Sequence, residues 1–299
     1  MTITDRIAAA PISWGVCEVP DWGHQMWVDR VLTEMGQLGL RATELGPEGF
    51  LPATRARELL REHGLSVVAG FVPAVLHDAS RHDRELWAVR ADAKTIAELG
   101  GEILVLAAST GRSGYEAADR LDATGWRALA DGISGAAEVA SELGLRLAVH
   151  PHRGTVIERP DEVDRLLELT DVGLCLDTGH VAVGGGDPLA LAQRASDRVV
   201  HVHLKDVADA VLRQVISGEL GYRNAVRAGL YRPLGDGDLD VVGIVRALEE
   251  AGYHGWYVLE SDEVLDREPP VGAGPIEDVR RSLAFLERAW EEVGAARES

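Results

Sequence analysis

Histidines and carboxylates of this chain gather where short apolar segments end, a placement that could serve metal binding or proton transfer. Five of the ten histidines lie at the ends of three such segments, where acids and a lysine also occur. The residues at these ends and at a fourth are His150, His152, Asp177, His180, His201, His203, Lys205, Glu260 and Asp262. Their nitrogen and oxygen donors suit Mn, Co, Fe, Zn or Mg, whereas the lack of thiolate groups argues against a Cys-type structural zinc site.

The spacing within these groups has a structural meaning if the segments are strands. Residues two apart on a strand share a face, so His150 with His152, and His201 with His203, can point inward together. One member of each pair can instead support the other as an outer hydrogen-bond partner. Taken alone, Asp-Thr-Gly is common in turns and an H-x-H pair is a weak signal. Together, the groups favour one shared site over unrelated turns.

Two further stretches resemble ligand loops but are better explained as helix starts. Residues 235–240, GDGDLD, have calcium-loop spacing, yet Val241 and Ala247 stand where an EF-hand requires Gly and Glu. We therefore expect Asp240 to cap a helix. Residues 184–187, GGGD, could cradle a phosphate, but a connection that ends in an N-cap Asp before Pro188 is favoured.

Eight short apolar segments alternate with amphipathic stretches and predict the scaffold that positions these side chains. Most of the segments lack polar alternation, as expected for parallel strands buried on both faces. The predicted strands are 7–14, 42–45, 66–72, 103–108, 146–150, 172–177, 199–204 and 256–260. Several helical patterns between them end before a glycine, which is common after a helix C-terminus, at Gly39, Gly64, Gly100, Gly144 and Gly252.

Eight strand–helix units fit an α/β fold, a single (β/α)8 TIM barrel forming one domain over residues 1–299. A doubly wound sheet is the alternative, but the chain lacks G-x-G-x-x-G after an early strand. In a barrel the C-terminal strand ends form the active face, so the polar residues would meet there. One long irregular connection, about 206–238, follows the seventh strand, and such loops are often lids or binding loops.

Composition excludes some partners. The formal net charge of -19 argues against nucleic acid and anionic membrane surfaces, because both repel an acidic protein. The two cysteines, Cys17 and Cys175, form no disulfide pattern, so we expect a cytoplasmic, reducing environment. The sequence shows no signal peptide pattern and no apolar run of about 18 residues, so we expect no membrane-spanning segment.

Several motifs resemble those of the xylose-isomerase-like TIM barrels, a group of sugar isomerases, epimerases and lyases. The stretches that carry this resemblance are LDTGH at 176–180, HVHLKD at 201–206, PLGDGDLD at 233–240 and GWYVLESD at 255–262. A more specific similarity, to the inosose dehydratases of myo-inositol catabolism, lies in APISWGVCEVPDWG at 10–23, ATELGPEGFLP at 42–52 and HPHRGTVIE at 150–158. The resemblance covers nearly the whole chain.

The resemblance implies one divalent metal ion, with Mn or Co favoured over Fe, Zn or Mg. Its expected ligands are Asp177, His203 and Glu260, with a fourth from the fifth strand. The group normally has a Glu there, and His150 stands at that position. Glu158, which follows the GT turn, is favoured slightly over His150 as the replacement. The resemblance also implies a homo-oligomer, a dimer or tetramer.

The expected activity is that of a lyase that removes water from a keto-cyclitol, 2-keto-myo-inositol (scyllo-inosose). The metal would polarise the ketone, and an acid and a base would move the protons. Neutral histidine suits both transfers near pH 7. The predicted catalytic residues are His150, His152, His180 and Lys205, and the predicted substrate-binding residues are Trp14, Glu44 and Arg153.

Other activities remain as alternatives. A keto-sugar isomerase or epimerase could use the same barrel, and a dehydratase of a dehydroshikimate-like acid would want Arg153 for the substrate carboxylate. A sugar-binding module without catalysis is compatible with the same fold. A DNA-repair endonuclease is disfavoured by the charge of -19.

Overall fold

A closed barrel of eight parallel strands organises the chain, for which the computed structural model describes residues 3–112, 114–115 and 120–298. The barrel strands are β1 (Ile7–Ala9), β2 (Ala42–Glu44), β3 (Ser66–Ala74), β4 (Ile103–Ala108), β5 (Arg146–Val149), β6 (Gly173–Asp177), β7 (Val199–Leu204) and β10 (Tyr257–Leu259). Around the barrel their order is β1-β10-β7-β6-β5-β4-β3-β2. Two further strands, β8 (Asp206–Val207) and β9 (Tyr231–Arg232), form a separate antiparallel pair.

Helices surround the barrel and follow most of its strands. They are α1 (Val28–Gln37), α2 (Ala56–Glu62), α3 (His82–Glu98), α4 (Ala123–Glu142), α5 (Pro160–Leu169), α6 (Thr178–Val183), α7 (Pro188–Arg194), α8 (Asp209–Ile216), α9 (Tyr222–Arg227), α10 (Val241–Glu250) and α11 (Pro275–Glu298). The predicted helix ends are confirmed by positive φ angles between 66° and 91° at Gly39, Gly64, Gly100, Gly144 and Gly252. The predicted helix caps at Asp187 and Asp240 are also confirmed, because each side chain accepts backbone amides of the first turn.

The eight predicted barrel strands are confirmed, but two predictions about their surroundings are wrong. The first strand ends at Ala9 and not at residue 14, because Pro11–Trp14 forms a 3-10 helix with the proline in its first turn. The connection 206–238 is not irregular. It contains β8, α8, α9 and β9, and so it is a folded excursion from the top of the barrel.

Small side chains are common in the barrel interior, and they leave room for polar ones. One buried cluster inside the barrel contains Ala8, Ala10, Ala42, Ala69, Ala148 and Cys175. Larger aliphatic residues fill the layer between the strands and the helices. The burial of this apolar surface is the main favourable contribution to folding. Within the described ranges, no helix combines the length and the apolar character needed to cross a membrane.

Candidate active site

Strand alternation and register bring the polar side chains to one end of the barrel. Asp177 is paired in register with His203 on the neighbouring strand, and His203 is paired with Val258, two residues before Glu260. Residues two apart on a strand face the same side, so Glu260 continues the inward face of Val258. The C-terminal ends of parallel strands meet at one rim, which is the catalytic face of such barrels.

Three potential metal ligands converge at this rim. His203 Nδ1 lies 3.2 Å from Glu260 Oε2 and 3.5 Å from Asp177 Oδ2, and each residue offers a ligand atom within 4.8 Å of the other two. All three side chains are at most 8% exposed. Neither Asp177 Oδ2 nor His203 Nδ1 has a hydrogen-bond partner, although Asp177 Oδ2 forms an ion pair with Lys205. Buried polar atoms are normally paired, so these two fit the donor set of a divalent cation.

Glu44 fixes the orientation of the histidine in this group. Its Oε1 accepts hydrogen bonds from His203 Nε2 at 2.9 Å and from His201 Nε2 at 2.7 Å. Because a carboxylate only accepts, His203 carries a proton on Nε2 and its neutral form presents a lone pair on Nδ1. Burial acts to raise the pKa of Glu44, but the opposite effect of the two imidazoles is larger, so the pKa lies below its usual value. These contacts suit a residue that supports a metal ligand through a hydrogen bond. Glu44 also lines the cavity, where it is predicted to bind substrate.

The Lys205 ammonium is surrounded by acids. Its Nζ lies 2.9 Å from Glu260 Oε2, 3.0 Å from Asp262 Oδ1 and 3.1 Å from Asp177 Oδ2. Burial acts to lower the pKa of Lys205, but the carboxylates of Asp177, Asp262 and Glu260 raise it well above its usual range. Glu44 brings the number of buried carboxylates at this rim to four. Burial acts to lower the pKa of His203, but neighbouring groups, Glu260 and Glu44 among them, raise it well above its usual range. The carboxylates still outnumber Lys205 and His203 together, and this excess of negative charge favours binding of a further cation.

Three imidazoles form a second group beside the first. His150, His152 and His180 offer nitrogens within 4.8 Å of one another. Burial, together with the charges of neighbouring cationic groups, lowers the pKa of His150 and of His180 well below the usual range, so both are neutral at pH 7. Nδ1 of His150 and Nδ1 of His152 each donate to a backbone carbonyl at 2.8 Å, so the neutral form of each ring presents a lone pair on Nε2.

His180 has the opposite tautomer. The backbone amide of Arg153 donates to His180 Nδ1 at 3.4 Å, so the neutral ring carries its proton on Nε2. This Nε2 is buried and has no hydrogen-bond partner. Its ring centroid lies 3.8 Å from that of His152. The group therefore holds two proton acceptors and one proton donor at adjacent positions.

The segment D-T-G-H at 177–180 is both a turn and part of the site. Asp177 ends β6 and caps α6, because its Oδ1 accepts the His180 amide at 2.7 Å while Oδ2 faces the cluster. The Thr178 hydroxyl and the Lys205 backbone exchange hydrogen bonds, which ties the turn to β7. A Cβ at Gly179 would lie 2.7 Å from Lys205 Cβ and from Tyr231 Cε1, so only glycine fits there.

Cys175 lies below this cluster and does not add a thiolate to it. Its side chain is grouped with His150 and His203 within ligand distance. Burial, however, raises the pKa of Cys175 to about 11, and the thiolate is the form that binds metal. The buried thiol therefore agrees with the interpretation of Cys175 as a small interior residue.

The side chains of three predicted site residues do not join the metal-ligand group of Asp177, His203 and Glu260. Trp14 is fully buried in the apolar core, where its Nε1 donates to Glu34 Oε2 at 2.8 Å, so it does not line the cavity as predicted. Arg153 and Glu158 pair with each other at 2.6 Å, and Glu158 Oε2 accepts the Gly154 amide at 3.0 Å. Glu158, with both oxygens used in its own loop, belongs to none of the ligand groups found among the described residues.

The excursion between residues 206 and 238 contributes two tyrosines that sequence reasoning missed. The Tyr222 hydroxyl donates to Asp262 Oδ2 at 2.7 Å and lies 2.8 Å from the Tyr231 hydroxyl. The Tyr231 ring lies under the Lys205 ammonium, with Nζ 5.5 Å from the ring centroid. Tyr222 lies on a six-residue helix whose sequence carries no ligand motif, so no local signal could have identified it.

A cavity of about 720 Å³ opens onto part of the metal-ligand and imidazole groups. Its walls include Glu18, Glu44, Phe71, Tyr115, His150, His152, His203, Lys205, Glu260 and Asp262. The size lies in the usual range for small-molecule sites. The mixture of aromatic walls with acids, imidazoles and one ammonium suits a polar ring that carries several hydroxyls and a carbonyl.

Comparisons with known proteins agree with this geometry. The family described as "Xylose isomerase-like TIM barrel" matches residues 31–289. An inosose dehydratase from Geobacillus kaustophilus is 35% identical over 97% of this chain and 96% of its own length. The rhizopine catabolism protein MocC from Rhizobium meliloti is also 35% identical, over 89% of this chain and 84% of its own.

A solved structure extends the comparison to the fold. The crystal structure of the IolI protein with a bound zinc atom has a TM-score of 0.70 and 15% identity, and the match covers 96% of this chain and 99% of that one. At this identity the likeness concerns the fold alone.

Proposed function

From the premise that the chain belongs to the xylose isomerase-like TIM barrel family, we propose that it is a metal-dependent hydro-lyase that dehydrates a keto-cyclitol, 2-keto-myo-inositol. The observation that carries this proposal is the juxtaposition of two groups at one rim. One group is the ligand set of Asp177, His203 and Glu260, and the other is the set of three imidazoles of His150, His152 and His180. Identity of 35% with an inosose dehydratase over nearly the whole chain supports the substrate class.

The proposed metal ligands are Asp177, His203 and Glu260, with His150 as the fourth. His150 Nε2 carries a lone pair and lies 3.7 Å from Asp177 Oδ2, whereas Glu158 is held by Arg153 and the Gly154 amide. We therefore favour His150 over Glu158. A divalent metal bound there would polarise the substrate ketone and acidify the neighbouring C–H bond.

The protein's own groups would then move the protons. Nε2 of His152 has a lone pair and would accept the C–H proton, while the electrons of that bond form the new C=C bond. Nε2–H of His180 would protonate the departing hydroxyl, which leaves as water with the electrons of the C–O bond. The proton taken up by His152 would then return to His180, whose ring centroid lies 3.8 Å away, so that both imidazoles end neutral. The Lys205 ammonium would stabilise the negative charge that develops on substrate oxygen. No oxidant or reductant is needed, because only water is lost.

The epimerase alternative has less support from the residues. Epimerisation with a base on each face of the carbon would use the carboxylate normally found on the fifth strand, and His150 replaces it. Loss of water without stereochemical scrambling is therefore the expected reaction.

Further assignments accompany this proposal. Mn or Co is proposed as the ion, because nitrogen and carboxylate donors suit both, and availability selects among such metals. A homo-oligomer, a single domain over residues 1–299 and a cytoplasmic location also stay predictions. The free thiols of Cys17 and Cys175 are compatible with a reducing compartment.

Ultraviolet absorbance tests the function directly. Metal-reconstituted protein is incubated with scyllo-inosose, and a new conjugated-carbonyl absorbance is expected, which chelation of the metal and Asp177→Asn both abolish. If the protein binds close to one equivalent of metal and produces no absorbance, the dehydratase assignment is wrong. A stereochemical assay of keto-sugars would then test the epimerase alternative.

A further inference from the structure

Lys205 is the one cation held directly against the proposed metal ligands within the described residues. Its ammonium contacts three carboxylate oxygens at 2.9–3.1 Å, from Asp177, Glu260 and Asp262. The side chain is 2% exposed, so water contributes little to its solvation. The ammonium therefore forms ion pairs with three carboxylate oxygens, and these oxygens replace water around its charge.

Two of these oxygens have a second use. Asp177 Oδ2 and Glu260 Oε2 are also the oxygens that lie near His203 Nδ1, and together they form the proposed ligand set. A divalent cation bound to them would take two of the three acceptors of the ammonium. Two positive charges a few ångströms apart in a water-poor site repel strongly. Lys205 must therefore depend on its third partner when metal is bound.

That third partner, Asp262, is built to hold the lysine. It is 3% exposed, and its two oxygens have separate partners. Oδ1 faces Lys205 Nζ, and Oδ2 accepts the Tyr222 hydroxyl at 2.7 Å. The Tyr231 ring supports the same ammonium from below, and its hydroxyl lies 2.8 Å from that of Tyr222. These contacts fix Asp262 from a direction different from that of the ligand set.

We propose that Asp262 is a positioning residue that retains the Lys205 ammonium beside the site when a divalent metal occupies Asp177 and Glu260. The ammonium and the metal compete for the same two oxygens, and Asp262 relieves that competition. The tyrosines Tyr222 and Tyr231 thereby couple the excursion 206–238 to the site. This inference rests on the metal site of the proposed function and not on the dehydration.

Equilibrium binding of Mn²⁺ tests the inference without any substrate. Dissociation constants are measured for the wild-type chain, Lys205→Met, Asp262→Asn and the double variant by titration against a competing chelator. Lys205→Met is expected to bind Mn²⁺ about tenfold or more tightly, because a competing charge is removed. Asp262→Asn is expected to bind it about tenfold more weakly, because the lysine loses its separate partner.

The double variant separates positioning from a direct effect. Without the lysine, Asp262→Asn should change the dissociation constant by no more than about threefold, since only its distant charge remains. A tenfold weakening that persists without the lysine overturns the inference, and so does unchanged binding by both single variants. If Lys205→Met does not fold, a Mn²⁺ affinity of Asp262→Asn equal to that of wild type overturns the inference by itself.

A neighbouring acid gives the matched control. Glu263 accepts from Ser261 at 3.3 Å and is not one of the three carboxylates that pair with Lys205, so Glu263→Gln should leave Mn²⁺ affinity unchanged. A wild-type chain that binds no Mn²⁺ overturns both the metal assignment and this inference. If the variants change Mn²⁺ affinity as expected but the protein does not dehydrate inosose, this inference stands and only the substrate assignment is wrong.

Discussion

The two ends of the barrel both bury charged residues, but they treat them differently. At the N-terminal end, Arg6 contacts Glu249 at 2.9 Å and donates to the carbonyls of Tyr253 and Gly255. The Tyr257 hydroxyl donates to the same Glu249 oxygen at 2.8 Å. At the C-terminal end, the buried side-chain atoms that lack a hydrogen-bond partner include Asp177 Oδ2, His180 Nε2, His201 Nδ1 and His203 Nδ1, although Asp177 Oδ2 forms an ion pair with Lys205.

This difference separates a structural charge cluster from a functional one. Around Arg6 the hydrogen bonds close on themselves, and three aromatic rings lie 5.3–5.6 Å from the guanidinium carbon. Such a cluster offers nothing to a ligand. At the opposite rim, buried atoms without a hydrogen-bond partner lower the stability of the free protein, and a bound metal ion or substrate could supply the missing contacts. Burial of a charge therefore does not identify a site by itself, and what distinguishes this rim is that several unpaired ligand atoms lie close together.

The largest effect on activity is expected for Asp177→Asn. The amide keeps an acceptor for the His180 backbone but loses the charge that favours metal, so turnover of scyllo-inosose should fall about 10³-fold or more. Thermal unfolding should occur at nearly the wild-type temperature. Asp187→Asn is the matched control, because Asp187 only caps α7 and should leave turnover unchanged. Full activity of Asp177→Asn would remove Asp177 from the ligand set.

The closed cluster predicts the opposite outcome for Arg6→Leu. This variant removes the ion pair of Arg6 with the buried Glu249, and the free energy of unfolding should decrease by about 3–5 kcal/mol, measured by urea denaturation followed by circular dichroism. The folded fraction should keep the wild-type turnover number. Arg213→Leu, which breaks an exposed pair with Asp209, should have almost no effect on stability. A turnover defect in folded Arg6→Leu would contradict the separation of the two ends.

A smaller effect is expected for Glu44→Gln. Glutamine keeps the shape of the side chain but loses the charge that orients His203, and metal affinity should fall about 10–100-fold. The same substitution at the other end, Glu249→Gln, should lower stability and leave metal affinity unchanged. Isothermal titration with Mn²⁺ measures both variants. Equal metal affinity for the two would show that Glu44 does not support the ligand.

Local patterns in the sequence were sufficient for the strands and for the side chains at their ends. The apolar runs before Asp177 and His203 predict neighbouring strands, and parallel packing then brings both side chains to one rim. The first strand was predicted too long because the apolar run continues to Trp14. Pro11 within that run was the available signal, since proline begins a 3-10 helix there.

The remaining features depend on tertiary contacts that leave no pattern in the chain. Tyr222 reaches Asp262 across 40 positions of sequence, and the pairing of Glu44 with His201 spans 157. The choice between His150 and Glu158 also depended on a loop, in which Arg153 folds back onto Glu158. Neither spacing nor composition reports which acid a nearby arginine will engage.

A matched pair of tyrosines gives the smallest and most direct test of the comparison. Tyr222 and Tyr257 each donate one hydroxyl to a buried carboxylate, at 2.7 Å and 2.8 Å. A hydrogen bond to a charged group contributes about 1.5–3 kcal/mol. Tyr257→Phe should therefore lower the free energy of unfolding by about that amount without changing kcat, because its partner Glu249 belongs to the closed cluster.

Tyr222→Phe should show the reverse distribution. Its partner Asp262 faces Lys205, so the loss is expected as a decrease of kcat/KM by about three- to tenfold, with a smaller change in stability. The two variants are compared by urea unfolding and by turnover of scyllo-inosose under the same conditions. Because the chemical change is identical, a different distribution between stability and turnover can come only from the surroundings of the two carboxylates. If both variants lose the same stability and keep the same turnover, Asp262 has only a stabilising role, as Glu249 does. The difference between the two ends of the barrel would then be limited to the metal ligands.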